Sequence, residues 1–316
     1  MRSKGIHHIT AISGNPQKGL DFYGGVLGLR FTKKTVNHDD PYTYHLYFSN
    51  ADASPGTHIT FFPWENASKG KIGSGQVGIT VYAIPKGSLG FWKNRLHRFD
   101  VEYSLDRRFN QTYLAFEDPD GLQIELVEQE RGLNNNWRVD DITPDVAIKG
   151  FAGAVLYSEN PDSTAWLLKK VLGLKKEDET KDMWRLVGDG DFGHTIDILK
   201  TPPAKGEMGV GTVHHIAFRA SDNIEQEEVR NAFTAENYHV TPFIDRKYFR
   251  SIYVRECGFI LLEVATDGPG FDVDEPQDKL AQTLTLPEGY ERHRKKISDH
   301  LKPLKVRDAY VNHEIH

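Results

Sequence analysis

Two stretches decide how this chain reads: Gly5-Ile6-His7-His8-Ile9-Thr10 and Thr212-Val213-His214-His215-Ile216-Ala217-Phe218. Each places a His-His pair at the opening of a β-like run, so one structural unit is used more than once. The second run is followed by Gly258-Phe259-Ile260-Leu261-Leu262-Glu263-Val264, a strand-like segment with a lone carboxylate among apolar residues. Two histidines and one carboxylate suffice for a metal site. Held on strands, they can meet at one point and leave coordination positions open, the arrangement expected of a non-haem Fe(II) enzyme.

The repeat sets the organisation. From Ile6 to Trp64 the chain reads strand (6–13), helix (16–26) and three further strands (29–37, 43–49, 57–63). The order recurs from Gly150 to Thr201, where Asn160-Pro161 opens the helix as Asn15-Pro16 does in the first copy. Both helices end alike, in Gly24-Gly25-Val26-Leu27-Gly28-Leu29 and Lys169-Lys170-Val171-Leu172-Gly173-Leu174, with glycine where a helix terminus needs a left-handed residue. Weaker copies run from Val77 through a helix near 88–97 to 112–128, and from Val213 through a helix near 224–236 to 252–265. The expected fold is α+β, four βαβββ modules forming two cupped mixed sheets, with module boundaries near residues 70, 150 and 208. Domains are expected over 1–140 and 146–286, linked by the polar stretch Asn134–Asp145. A charged segment over 287–316 should form a helix and a loose tail.

Composition narrows the partners. With 39 Lys and Arg against 45 Asp and Glu, the net charge is −6, and no long basic tract of the kind a nucleic-acid binder shows is present. A small-molecule partner is expected. The single cysteine, Cys257, excludes an intramolecular disulfide framework and suits a reducing compartment. No apolar signal core or membrane-length run is seen. The expectation is a cytoplasmic protein, with no membrane partner, whose assembly is compatible with a homodimer.

The chain resembles the vicinal oxygen chelate superfamily, which includes glyoxalase I, the fosfomycin-resistance proteins and the type I extradiol ring-cleaving dioxygenases. The resemblance rests on the βαβββ repeat, on His8 and His215 in an apolar-x-His-apolar pattern, and on Asp118-Pro119-Asp120-Gly121-Leu122-Gln123-Ile124-Glu125-Leu126, which looks like the superfamily's final hairpin and metal-ligand strand. The runs Thr35-Val36-Asn37, Tyr44-His45-Leu46-Tyr47-Phe48, Phe61-Phe62-Pro63-Trp64 and Thr266-Asp267-Gly268-Pro269-Gly270-Phe271 are similar to bacterial ring-cleaving dioxygenases linked to hydroquinone and quinone resistance.

Strand alternation lets only one histidine of each pair face a cup interior, and alignment with the superfamily pattern favours the second, His8 and His215. His7 and His214 are then outer-face or supporting residues. The same alignment puts Gly78 and Gly153 at the equivalent positions of modules two and three. Pairing consecutive modules would leave each site one histidine short. Pairing module one with module four assembles His8, His215 and Glu263, and leaves modules two and three as a metal-free cup in which Glu125 persists as a hydrogen-bonded relic.

The resemblance implies an Fe(II)-dependent ring-cleaving dioxygenase of the extradiol type, taking a hydroquinone or catechol and O₂ in aromatic or quinone detoxification, with Mn(II) or Zn(II) as other occupants of the metal site. Tyr253 is placed like the active-site tyrosine of extradiol enzymes, and His45 is the second candidate acid–base group. Thr60 or Phe62 would fill the fourth pseudo-symmetric position. Arg246 and Arg250 would lie near the cup mouth, and Phe61, Phe62, Trp64, Tyr253 and Phe271 supply an aromatic lining. The competing readings are a metal-dependent isomerase or thiol transferase like glyoxalase I and the fosfomycin enzymes, and a metal-free binding protein of the bleomycin-resistance type, against which the triad argues.

Overall fold

The computed structural model describes residues 3–312. Module one comprises β1 (Ile6–Ser13), α1 (Pro16–Leu20, running on as a π-helical turn over Asp21–Val26), β2 (Arg30–Val36), β3 (Tyr44–Ser49) and β4 (His58–Pro63). Module two comprises β5 (Gln76–Ile84), α2 (Leu89–Arg98), β6 (Tyr103–Arg108), β7 (Gln111–Glu117) and β8 (Gln123–Glu128). Module three comprises β9 (Gly150–Tyr157), α3 (Pro161–Lys170), β10 (Lys175–Glu179), β11 (Met183–Val187) and β12 (Thr195–Leu199). Module four comprises β13 (Thr212–Ala220), α4 (Asn223–Ala235), β14 (Ile244–Asp245), β15 (Phe249–Arg255) and β16 (Leu261–Pro269).

Local chemistry explains the repeated entry and exit of the helices. Asn15 caps α1 by accepting from the Gln17 and Lys18 amides, and Asn160 caps α3 by accepting from Ser163, each with proline at the first helical position. Gly28 and Gly173 both take positive φ, 64° and 71°, which turns the chain into the next strand without the penalty a Cβ would bring.

The strands form two eight-stranded sheets, ordered β14-β15-β16-β13-β1-β4-β3-β2 and β10-β11-β12-β9-β5-β8-β7-β6. The first therefore joins modules four and one, and the second joins modules three and two. Each is centred on an antiparallel pair, β1 with β13 and β5 with β9. The stretches 1–140 and 146–286 each place one module in either sheet. Alternate residues of the central strands, such as Ile9 and Ile216, enter the main core with the helices, while Tyr47, Ala217, Phe249, Ala265 and Phe271 form a separate apolar cluster inside the first cup.

The C-terminal segment differs from the expected loose tail. It forms α5 (Arg294–His300) and then packs as far as it is described: Tyr310 is buried against Gly24 and Gly25, and Tyr44 donates to the Lys302 carbonyl. Residues 313–316 of that expected tail, and Met1 and Arg2 at the other end, lie outside the described residues. Among the described residues no helix is long and apolar enough to cross a membrane.

Candidate metal centre and ligand cavity

The central strands carry the first feature of the site. The β1/β13 register slips between Ile6 and His8 and again where Thr10 faces His215 and Ala11 faces Val213, so His7 and His214 each sit at a β-bulge. The bulge lifts strict alternation and lets both rings of a pair act together. His7 and His8 meet Nδ1 to Nδ1 at 2.9 Å, and His214 and His215 at 2.8 Å. His7 and His214 are thus partners of the inward rings. With His8 and His215 as the Nδ1–H donors and His7 and His214 as the acceptors, the His8 and His215 Nε2 lone pairs are free.

Those lone pairs converge with the Glu263 carboxylate. His8 Nε2 and His215 Nε2 are 3.3 Å apart, and Glu263 Oε2 lies 3.3 Å from the first and 2.9 Å from the second. Ligands bound cis at roughly 2.1 Å from one ion are separated by about 3.0–3.4 Å, depending on whether the set is octahedral or tetrahedral. The observed spacing fits. Glu263 Oε2 is also fully buried without a hydrogen bond of normal direction, although such groups are ordinarily paired, while Oε1 accepts from Ser251. Burial pushes the Glu263 carboxyl up, but His8 and His215 more than offset this and hold it well below the usual range. Burial lowers His215 despite the opposing pull of Glu263. Anionic carboxylate and neutral imidazole are the states that ligate a cation.

Beside these atoms opens a cavity of about 340 Å³. Phe62 and Trp64 stack on one wall with ring centroids 5.9 Å apart, and His214 stands edge-on to both. Tyr253 is paired with Glu263 across β15 and β16, and its ring meets His215 at 5.7 Å. Arg246 Nε donates to the Tyr253 hydroxyl at 3.3 Å, and the same guanidinium lies 3.6 Å from Asp39. Because arginine only donates, the phenol oxygen accepts there and its own hydrogen is free to point elsewhere. Burial keeps Tyr253 protonated, pushing its pKa upward, with Glu263 acting in the same sense.

His45 also lines the cavity, but both ring nitrogens are engaged, Nε2 with Thr60 Oγ1 and Nδ1 with the Tyr47 hydroxyl, each at 2.9 Å. Thr60 occupies the fourth pseudo-symmetric position: it pairs with Thr10, two residues beyond His8, as Glu263 pairs with Ala217, two residues beyond His215. Phe62 lies one step further along. Arg250 does not reach the cavity; it bonds Gln226 and the Asn223 carbonyl and stacks on Phe243. Phe61 packs on Tyr23 in the main core, and Phe271 stacks on His58 behind the site. Of the expected aromatic lining Phe62, Trp64 and Tyr253 remain, and Tyr47 and Phe249 join them. Sequence reasoning missed Tyr47, Thr10 and Ser251, though Tyr47 follows His45, and Thr10 follows His8, at the two-residue spacing of one strand face.

The second cup repeats the scaffold with different chemistry. Glu125 pairs with Val81 as Glu263 does with Ala217, so Ile79 is the counterpart of His215 and Gly78, at the bulge, the counterpart of His214. This moves the expected equivalence of Gly78 by one residue. Gly153 matches His8 as expected, and a Cβ there would lie 1.9 Å from the Thr195 carbonyl oxygen. The Thr60 counterpart is Asp197. Arg108 clamps Glu125 through both terminal nitrogens and reaches Asp197 through Nε, while Arg185 grips Asp197 through Nε and Nη2. Two guanidiniums thus neutralise two carboxylates.

Comparisons with known proteins bear on the family and the fold. Residues 5–126 match the model of the Glyoxalase/Bleomycin resistance protein/Dioxygenase superfamily, and the chain belongs to that superfamily. It is 52% identical over 307 residues, covering 97% of this chain and 98% of the relative, to "Putative ring-cleaving dioxygenase MhqO" of Bacillus subtilis (strain 168). It is 35% identical over 297 residues, 90% of this chain and 92% of the relative, to "Chlorohydroquinone/hydroquinone 1,2-dioxygenase" of Sphingobium indicum. A crystal structure of a Bacillus subtilis "putative dioxygenase" superposes with a TM-score of 0.96 at 52% identity, covering 97% of this chain and 99% of that one.

Proposed function

We propose that this protein is an Fe(II)-dependent ring-cleaving dioxygenase acting on a hydroquinone-type aromatic, with His8, His215 and Glu263 holding the metal. The observation that carries the reading is the convergence of three buried ligand atoms, 2.9–3.3 Å apart, beside a cavity walled by aromatic rings. The name of the Sphingobium indicum relative supports the hydroquinone class. When bound, iron supplies Lewis acidity toward a phenolic oxygen and one-electron chemistry toward O₂. The chain supplies the rest. Phe62 and Trp64 offer flat apolar contact to a ring, Arg246 a fixed positive charge for an oxygen-rich substrate, and Tyr253 a donor to an oxygen that gains negative charge during reaction. Mn(II) or Zn(II) would fit the same three donors.

The test is anaerobic purification with metal analysis, followed by oxygen uptake on a panel of hydroquinones and catechols and incorporation of both atoms of ¹⁸O₂ into an acyclic product. Iron bound at one per chain with hydroquinone-dependent uptake supports the proposal. A protein replete with Fe(II) that leaves every ring intact, or that isomerises a thiol adduct instead, defeats it.

A further inference from the structure

The cavity is lined by rings and neutral polar groups, and its formal charges form a single pair. Among the described residues that border it, histidines aside, Asp39 and Arg246 carry the only charges. The histidines add none: burial and the nearby Arg246 lower His38 to about 4, burial, then His38 and His8, holds His45 well below its ordinary range, and His214 accepts at Nδ1. The pair has an inner and an outer member. Arg246 Nη1 lies 3.6 Å from Asp39 Oδ2, with the arginine side chain 19% exposed and the aspartate 83%. Arg246 is therefore approached from solvent past Asp39. The loop that carries Asp39 is fixed on both sides, because the Asp39 amide donates to Asn37 Oδ1 at 2.8 Å and the Tyr290 hydroxyl donates to the His38 carbonyl at 2.9 Å.

Counting charges gives the pair a consequence. Glu263 and Asp39 are negative and Arg246 is positive, so a divalent ion on His8, His215 and Glu263 leaves the site with one positive charge in excess. A ring bound as a single phenolate makes it neutral. A second anionic group on the same ring leaves a net negative charge beside walls of Phe62, Trp64 and Phe249, where charges interact more strongly than in bulk water. Arg246 cannot offset that group in full, because Asp39 already faces it. Without the Asp39 carboxylate the excess grows by one positive charge, and the second group is matched.

We propose that Asp39 is a specificity-determining residue: its carboxylate, on the solvent side of Arg246, lets the cavity accept a ring that brings one negative charge and reject one that carries an acidic substituent as well. Discrimination of this kind comes from a repulsive group set against the wrong ligand. The ring in this statement rests on the ring-cleaving reading; the charge pair does not.

The experiment is anaerobic calorimetry on the Zn(II)-loaded protein with hydroquinone and hydroquinone sulfonate, the sulfonate being a poor metal ligand. Both rings share the phenolate, and Asn has the shape of Asp, so the ratio of the two dissociation constants compared across variants reads the second charge. The ratio should favour hydroquinone in the wild type and fall about five- to tenfold in Asp39→Asn at low salt. It should stay at the wild-type value in Asp39→Glu. At high salt Asp39→Asn should change it less, because the repulsion is then screened in the wild type too. Melting should not shift, since an ion pair this exposed contributes little to stability. A ratio unmoved in Asp39→Asn, or moved as far in Asp39→Glu, overturns the proposal. A wild type that binds neither ring overturns the ring-cleaving reading and this proposal with it, whereas hydroquinone binding with an unmoved ratio overturns the proposal alone.

Discussion

Replacing Tyr253 with Phe removes a single oxygen, and the structure separates what that oxygen does from what the ring does. The ring is retained, so the edge-on contact with His215 at 5.7 Å persists and metal occupancy should stay unchanged. The lost hydrogen bond to Arg246 is long, 3.3 Å, and Arg246 keeps its approach to Asp39 at 3.6 Å. The stability cost is therefore small, about 0.5–1 kcal/mol, a melting shift of about 1–3 °C in a chain of this size. Catalysis should respond far more strongly. A preorganised donor facing developing negative charge contributes about 10²–10³ in turnover, roughly 3–4 kcal/mol of barrier. The assay is oxygen consumption at saturating hydroquinone by protein of measured iron content, run beside a thermal melt. Unchanged turnover would reduce Tyr253 to a packing residue. Loss of iron with an intact melt would mean that the hydroxyl supports the metal.

His8→Ala, His215→Ala and Glu263→Gln should each abolish stoichiometric metal binding while Glu125→Gln retains it, as read by elemental analysis; metal loss in the Glu125 variant alone would reverse the assignment of the cups. Arg185→Met strips Asp197 of two of its three hydrogen bonds from arginine, and removing one partner of a buried pair costs about 3–5 kcal/mol. Denaturation should show that loss with full metal occupancy, and Arg185→Met/Asp197→Leu should recover part of it. Burial pushes Asp118 up to about 6 against the hydrogen bonds it accepts from Leu122 and Tyr23. A carboxyl raised on folding contributes stability fully below the ordinary carboxylate range and loses it as pH rises through about 6. Asp118→Asn should therefore gain on the wild type between pH 4 and 7 in melting temperature, and a constant gap would count against the shift.

The repeat was legible because both of its local signals are chemical: the Asn-Pro helix entry and the glycine exit at Gly28 and Gly173 need no tertiary context. The pairing of first module with last was legible too, since only that pairing gathers His8, His215 and Glu263, and sheet order agrees. Bulges were not. A one-residue insertion leaves no mark in composition, so Gly78 read as the counterpart of an inward histidine although register makes it the counterpart of His214. β6 was passed over for another reason: Tyr103-Ser104-Leu105-Asp106-Arg107-Arg108 is an exposed edge strand with no buried face to impose alternation. The direction of Phe61 and Phe271 depended on which face of a strand or loop meets the cup, and two adjacent aromatic residues do not specify that.

The order of strands across the first sheet has a consequence for how the protein is made. His8 belongs to the first strand of the chain and Glu263 to the last, with His215 on the strand that must dock against β1. A ribosome emits residues vectorially, and domains generally form as units while synthesis proceeds. β5 and β9 emerge close together and can complete the second cup early, whereas β1 must wait for β13, with the larger closure entropy that a longer intervening chain brings. Until then one edge of the nascent first sheet is unpaired, and a strand edge in that state invites intermolecular pairing. A bound cation would tie the earliest and latest strands at a single point. Under the proposed function, metal availability at the end of synthesis would then determine yield as well as activity, and a chain truncated before Glu263 would have two imidazoles but no centre.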